Sequence, residues 1–234
     1  GRIYIMNIDH CNSHSSFQVP IKMSNLCQEI TLPTDPLQHI DGSGEIALCI
    51  LSAVNLSKLK SWDQLRRLCD LSVRSLDVLI DYQEYPVKAA ESATKARRSL
   101  GVGFIGLAHY LAKLGFKYDD WKAHKAVHIL SEKFQYYLLK SSNQLAKEYG
   151  FCSAFDQTKY AMKRLPIDHY KADVDEFCKD PEGLRFYDLT EDWETLKNDI
   201  WDFGLRNSTL TAQMPSESSS VVCGTTNGIE PPRD

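Results

Sequence analysis

The sequence predicts an α/β fold, and three observations carry that expectation. Residues 45–54 form a short, continuous apolar run after turn signals, the mark of a strand covered on both faces. Two long stretches with helical spacing follow, at 62–80 and 122–149. A strand-like stretch at 205–212 then leads into a proline and a run of serines, the pattern of a helix start. Strands that alternate with helices belong to the α/β class.

The 234 residues can bury a substantial core, as one large domain or two modest ones. The composition is ordinary for a globular protein, with 43% hydrophobic and 25% charged residues. A net charge of −4 gives no reason to expect nucleic acid or an anionic membrane as the main partner. No apolar run approaches the ~20 residues of a membrane span, and no signal peptide opens the chain. Seven cysteines, scattered and never spaced as C-x-x-C, are neither a secreted disulfide framework nor a zinc ribbon. The chain therefore reads as cytoplasmic, with reduced thiols. It opens at Gly1-Arg2 without an initiator Met and ends at Pro231-Pro232-Arg233-Asp234, so it reads as a piece of something longer.

In order, residues 2–6 read as a strand, rich in β-branched and aromatic residues. Residues 7–16 read as a polar loop. It holds His10, Cys11 and His14, whose spacing fits no common zinc pattern. Ser24-Asn25-Leu26-Cys27-Gln28-Glu29 lies between Pro20 and Pro33, which argue against a long helix. Read as extended chain, it turns Asn25, Cys27 and Glu29 to one side and Leu26, Gln28 and Ile30 to the other. One side then carries an amide, a thiol and a carboxylate: a hydrogen-bonding group, a nucleophile or radical carrier, and a general base. A half-buried strand with an incidental thiol fits equally well. Cys49, within the apolar run, is either a small buried hydrophobe or a redox thiol near Cys27, and periodicity does not choose.

Ser61 reads as the N-cap of a helix with Trp62, Leu65, Leu68, Leu71, Leu76, Leu79 and Ile80 on its apolar side. Pro86 could start a second helix, with Lys95, Arg97 and Arg98 near its end. Gly101-Val102-Gly103-Phe104-Ile105-Gly106 matches the dinucleotide fingerprint G-x-G-x-x-G. It follows a charged, helix-like stretch rather than a strand, so close backbone packing where a loop enters a helix is the better reading. The helix at 122–149 presents Val127, Leu130, Phe134, Tyr137, Leu138, Ser141 and Leu145 and stops at Gly150. His124 and His128 have the spacing of a two-His metal site, but Lys125 stands where zincins need Glu, so both read as surface histidines. Residues 151–187 are mixed and polar. Residues 193–203 read as a helix ended by Gly204. At Pro215-Ser216-Glu217-Ser218-Ser219-Ser220, a helix N-terminus would offer backbone N–H groups and hydroxyls to an anion; a capped helix without a ligand is the alternative.

Four stretches together resemble the catalytic subunit of class I ribonucleotide reductase, bacterial and bacteriophage type. They are S-N-L-C-Q-E, G-E-I-A-L-C, L-G-V-G-F-I-G-L-A-H-Y and G-L-R-N-S-T-L-T-A-Q-M-P-S-E-S-S-S, in the family's order and along essentially the whole chain. The resemblance implies the later portion of a ten-stranded α/β barrel of two half-sheets, with a central finger loop and helices outside. Residues 1–234 would be an incomplete catalytic barrel domain. Cys27 matches the cysteine that becomes a thiyl radical, Glu29 the base at the 3′-hydroxyl and Asn25 the amide that bonds the ribose. Cys49 matches one of two redox cysteines, and Ser216, Glu217, Ser218 and Ser219 match the loop that holds the substrate diphosphate. No metal and no directly bound cofactor is implied.

The resemblance also implies a ribonucleoside diphosphate substrate, a metal-containing small subunit that supplies the radical, thioredoxin or glutaredoxin as reductant, and a homodimer. The partner of Cys49 and the regions for ATP or dNTP effectors would lie upstream of Gly1. The radical-relay tyrosines and the C-terminal cysteines would lie beyond Asp234. Ser218 stands where relatives often have Thr. Cys223-Gly224-Thr225 replaces a Ser-Asn-Ala-like run before Thr226-Asn227-Gly228, which bears on local loop packing. Two other readings are a split-gene or assembly component that works only when docked to complementary chains, and a Rossmann-type dehydrogenase resting on the glycine pattern alone.

Overall fold

The computed structural model describes residues 3–39, 41, 43–169 and 188–232. Residues 170–187 of the polar stretch and Arg2 of the expected first strand lie outside them. The centre is a parallel βαβ unit. Strand β1 (Ile50–Asn55) leads through helices α2 (Trp62–Tyr82) and α3 (Lys88–Arg97) to β2 (Leu100–Ile105). The two strands pair in register from Ile50 with Leu100 to Asn55 with Ile105. On the other side of β2, Leu100 N–H bonds the Thr209 carbonyl (3.0 Å), Val102 N–H the Leu210 carbonyl (2.8 Å) and Ala212 N–H the Val102 carbonyl (3.2 Å). The 209–212 segment thus runs parallel to β2 with a bridge at Val102 and Thr211, and β2 sits in the middle. Every residue of β2 is buried, as a strand flanked on both sides and covered on both faces requires.

The glycine pattern lies mostly inside this strand. A Cβ at Gly101 would stand 2.5 Å from Leu51 Cδ2, and one at Gly103 would stand 2.2 Å from the Ala212 carbonyl oxygen. Gly106 alone is at a helix entry, with φ +79° at the N-cap of α4 (Leu107–Lys113). Close packing is therefore right for all three glycines, but the loop-to-helix placement holds only for Gly106. A dinucleotide fingerprint needs its glycines in the turn after a strand, and two of these are in the strand itself.

Helix α2 packs on α5 (Trp121–Tyr149). Ser61 accepts the Gln64 N–H (3.1 Å) and caps α2 as expected. The buried stripe of α2 is Leu65, Cys69, Val73, Leu76 and Ile80, at steps of three and four. Trp62, Leu71 and Leu79 of the expected face are more than a third exposed; Cys69 and Val73, smaller side chains, fill the seam instead. On α5, Leu130, Phe134, Leu138, Ser141 and Leu145 are buried as the spacing predicts, and Gly150 ends the helix at φ +83°. Each buried Leu or Phe of this seam contributes about 1.5–3 kcal/mol relative to exposure. Helix α6 (Trp193–Phe203) packs against α5, with Asp192 accepting the Thr195 N–H (3.1 Å).

Two expectations near the N-terminus fail. Residues 3–7 are irregular, with Ile3 and Ile5 more than four-fifths exposed, because a strand needs a neighbour and none pairs with them among the described residues. The polar stretch after them is not a loop but helix α1 (Ile8–His14). The apolar run at 45–54 is strand only from Ile50, and Leu48 and Leu51 stay about 40% exposed, so β1 is not covered on both faces.

Candidate functional site

Residues 24–30 form a tight loop, not an extended strand. Asn25 N–H donates to the Ile30 carbonyl (3.3 Å), Gln28 N–H to the Asn25 carbonyl (3.2 Å), and Ile30 N–H to Asn25 Oδ1 (3.3 Å). Gln28 takes the left-handed conformation, φ 62°, which reverses the chain. The period-two arrangement of Asn25, Cys27 and Glu29 therefore does not exist. The supposed opposite side confirms it, since Leu26 is 83% exposed while Ile30 is buried. Instead, Asn25 closes the base of the loop, Cys27 is exposed at its tip, and Glu29 is half-buried where the loop re-enters the protein.

The loop is anchored by a small apolar cluster. Phe17, Ile30, Leu32, Ala212 and Met214 form it, with Ala47, Cys49 and Ala53 packed against it. Three of the four motifs meet here: the loop through Ile30, the apolar run through Cys49, and the serine turn through Met214. Glu29 acts electrostatically on Cys49, and its Oε2 is buried with no hydrogen-bond partner. Burial, reinforced by the Glu29 carboxylate, pushes the Cys49 thiol up to about 11. Cys49 thus keeps its proton at neutral pH.

Ser216 is the N-cap of α7 (Glu217–Val222). Its side chain does not cap the helix; Ser216 Oγ is buried and donates to the Met214 carbonyl (3.2 Å). The first bond of the helix ladder joins Ser220 N–H to the Ser216 carbonyl (2.8 Å). The N–H groups of Glu217, Ser218 and Ser219 lie ahead of that ladder, on residues exposed to solvent. Ser219 Oγ is turned back to the Ser216 carbonyl (3.2 Å) and Ser220 Oγ to that of Glu217 (2.8 Å).

A residue not singled out from the sequence completes this turn. Ser216 N–H donates to Asn227 Oδ1 at 2.8 Å. The Asn227-Gly228 pair is a turn signal, but its contact eleven residues back could not be read from spacing.

The remaining candidates fall elsewhere. His10, Cys11 and His14 all lie on α1; the His14 ring stands 5.9 Å from that of His169. Among the described residues, no group of three or more His, Cys, Asp or Glu is arranged to hold a metal ion. His128 is buried, not a surface residue, because α5 turns it inward beside Glu132; His124 is exposed. Burial lowers the His128 pKa, against the pull of Glu132 and Asp188. Both histidines line a cavity of about 760 Å³ with Phe104, Leu111, Phe134 and Trp193. Thr211 and Gln213 also line it, whereas Ala212 and Met214 face the Cys49 cluster, so the cavity is on the opposite side of this segment. Neither Cys27 nor residues 216–219 border it.

No described helix is long and apolar enough to cross a membrane. The family model for the ribonucleotide reductase barrel domain matches residues 1–234. A ribonucleoside-diphosphate reductase subunit alpha of Haemophilus influenzae is 57% identical over 100% of the chain. The ribonucleoside-diphosphate reductase 1 subunit alpha of Escherichia coli and the subunit alpha of phage T4 are 53% and 43% identical, again over the whole chain. The chain spans about 30% of the length of each of these relatives. A full-length family match and this level of identity agree with the mixed α/β architecture: the chain belongs to the ribonucleotide reductase family, within its barrel domain.

Proposed function

We propose that this chain is the part of a ribonucleoside-diphosphate reductase large subunit that carries the radical cysteine and the phosphate loop. The observation that supports it is the convergence of Ile30, Cys49 and Met214 in one cluster. It brings the Cys27 loop, a protonated thiol and the Ser216 turn onto one side of the sheet. The fold would be the later portion of a ten-stranded barrel in which 24–30 is the finger loop. The exposed outer side of β1 suits pairing with further strands, whether these come from the same polypeptide or from a complementary chain that docks there.

The chemistry assigns each group a step. A Cys27 thiyl radical takes the ribose 3′ hydrogen, and Glu29, whose Oε2 has no internal partner, takes the 3′-hydroxyl proton. Cys49 protonates the departing 2′-hydroxyl, which leaves as water. Cys49 and a second thiol then supply two electrons and become a disulfide, and Cys27 returns hydrogen to C3′. Asn25 bonds the ribose, and the turn of Ser216, Glu217, Ser218 and Ser219 holds the diphosphate, through the backbone N–H groups that follow Ser216 and the Ser218 hydroxyl. The radical would come from a metal-containing small subunit, the electrons from thioredoxin or glutaredoxin, and ATP or dNTP control from regions outside this chain in a homodimeric, cytoplasmic enzyme.

Cys27→Ser in the full-length protein tests the reading. It should abolish deoxyribonucleotide formation and leave diphosphate binding within about twofold of wild type. Retained turnover would refute the radical role.

A further inference from the structure

We infer that Asn227 is a positioning residue for the diphosphate turn, an inference that rests on the phosphate role proposed for residues 216–219. A serine N-cap ordinarily holds its helix start with its own hydroxyl. Ser216 does not: its Oγ is turned to the Met214 carbonyl and makes no capping bond. The turn is held from outside instead, by Asn227 Oδ1 on the Ser216 N–H. That bond holds the first N–H of the turn, immediately before the N–H groups of Glu217, Ser218 and Ser219.

Asn227 can serve as a fixed point because the strap around it is bolted to the start of α4. Gly106 N–H bonds the Thr226 carbonyl (2.9 Å) and Leu107 N–H that of Gly228 (3.3 Å). His109 N–H bonds Thr226 Oγ1 (3.3 Å), and His109 Nδ1 shares a hydrogen bond with Thr225 Oγ1 (3.2 Å). Tyr118 Oη reaches the Ile229 carbonyl. Gly106 leaves the space this needs, since a Cβ there would stand 2.4 Å from Thr225 Oγ1. Thr225, which departs from the expected Ser-Asn-Ala-like run, is thus accommodated by His109 and Gly106. The carboxamide is also suited to its place in a way a carboxylate is not. It accepts the same hydrogen bond without setting a negative charge beside a polyanionic substrate.

The test uses full-length protein, with inorganic pyrophosphate and a ribonucleoside diphosphate as probes. Asn227→Ala should raise the Kd of both probes and the KM by about tenfold, the worth of one good hydrogen bond, with kcat within about twofold. Asn227→Asp keeps the acceptor, so it should keep the wild-type Tm and still raise KM. If Asn227→Ala binds both probes as wild type does, or lowers kcat at unchanged KM, the inference is wrong. It is equally wrong if Asn227→Asp has wild-type KM, the result expected of a residue that only packs. A wild-type protein that binds neither probe would overturn the phosphate reading and this inference together. An active Cys27→Ser protein would overturn the radical reading and leave Asn227 standing.

Discussion

Gly103 lies beneath the Ala212 carbonyl so closely that a Cβ would stand 2.2 Å from the oxygen and 3.1 Å from Met214 Sδ. The first neighbour is backbone and cannot swing aside. Gly103→Ala should therefore destabilise the chain by about 1–3 kcal/mol, the usual cost of overpacking. Urea unfolding checks this. The same substitution should weaken diphosphate binding in the full-length protein, because Met214 connects directly to the Ser216 turn.

The Cys49 thiol should resist alkylation in the folded chain. Iodoacetamide attacks the thiolate, and burial with Glu29 raises the Cys49 pKa from 9.0 to about 11. Exposed Cys27 and Cys223 should be modified first at pH 8, and Cys49 only as the pH approaches about 11. Peptide mass spectrometry reads the order; early modification of Cys49 would contradict it. The sign for stability follows. A raised thiol pKa favours the folded state below about 9, and that contribution is lost as pH rises from there through about 11.

Asp77→Ala should cost about 3 kcal/mol in urea unfolding, the lower end for breaking a buried ion pair. Asp77 accepts from Arg98 Nε (2.7 Å), Asn207 Nδ2 (3.0 Å) and Arg206 Nε (3.2 Å), joining α2 to the end of α3 and to the 206–208 segment. Without it the buried Arg98 guanidinium retains the half-exposed Asp81, at 2.8 Å, which limits the loss. A change under about 0.5 kcal/mol would show that the network contributes little.

The isolated chain should produce no deoxyribonucleotide. Reduction consumes two electrons, and the cluster that holds Cys49 contains no second thiol among the described residues. Measurable dNDP formation by residues 1–234 alone would refute this.

Local chemistry was legible in the sequence, and contacts across the chain were not. Ser61, Gly150 and Gly204 act within one or two turns of their own positions, so the helix boundaries they set could be read directly. The α5 stripe was equally plain, because its contact with α2 repeats at helical spacing. The 24–30 loop misled because its reversal depends on Gln28 at positive φ, where Gly or Asn is the usual signal. Residues 2–6 have strand composition but no described neighbour to pair with, and composition cannot supply one. His128 was misplaced because its burial depends on what α5 packs against. Asn227 was invisible because its partner is fixed by the strap on α4 rather than by any repeat. The four motif stretches identified the family without any of these.

The apolar cluster around Cys49 draws on residues as far apart as Phe17 and Met214, and Ser16 Oγ bonds the Ser208 carbonyl across 192 positions. Pairings of such long separation are slow to close, whereas the α2 and α5 helices need only their own sequence to begin. During synthesis the Cys27 loop would wait for nearly the whole segment to leave the ribosome before gaining its floor. Assembly of this centre should therefore trail helix formation, and pulsed amide exchange should find Ile30 and Ala212, whose N–H groups bond Asn25 Oδ1 and the Val102 carbonyl, among the last sites to become protected.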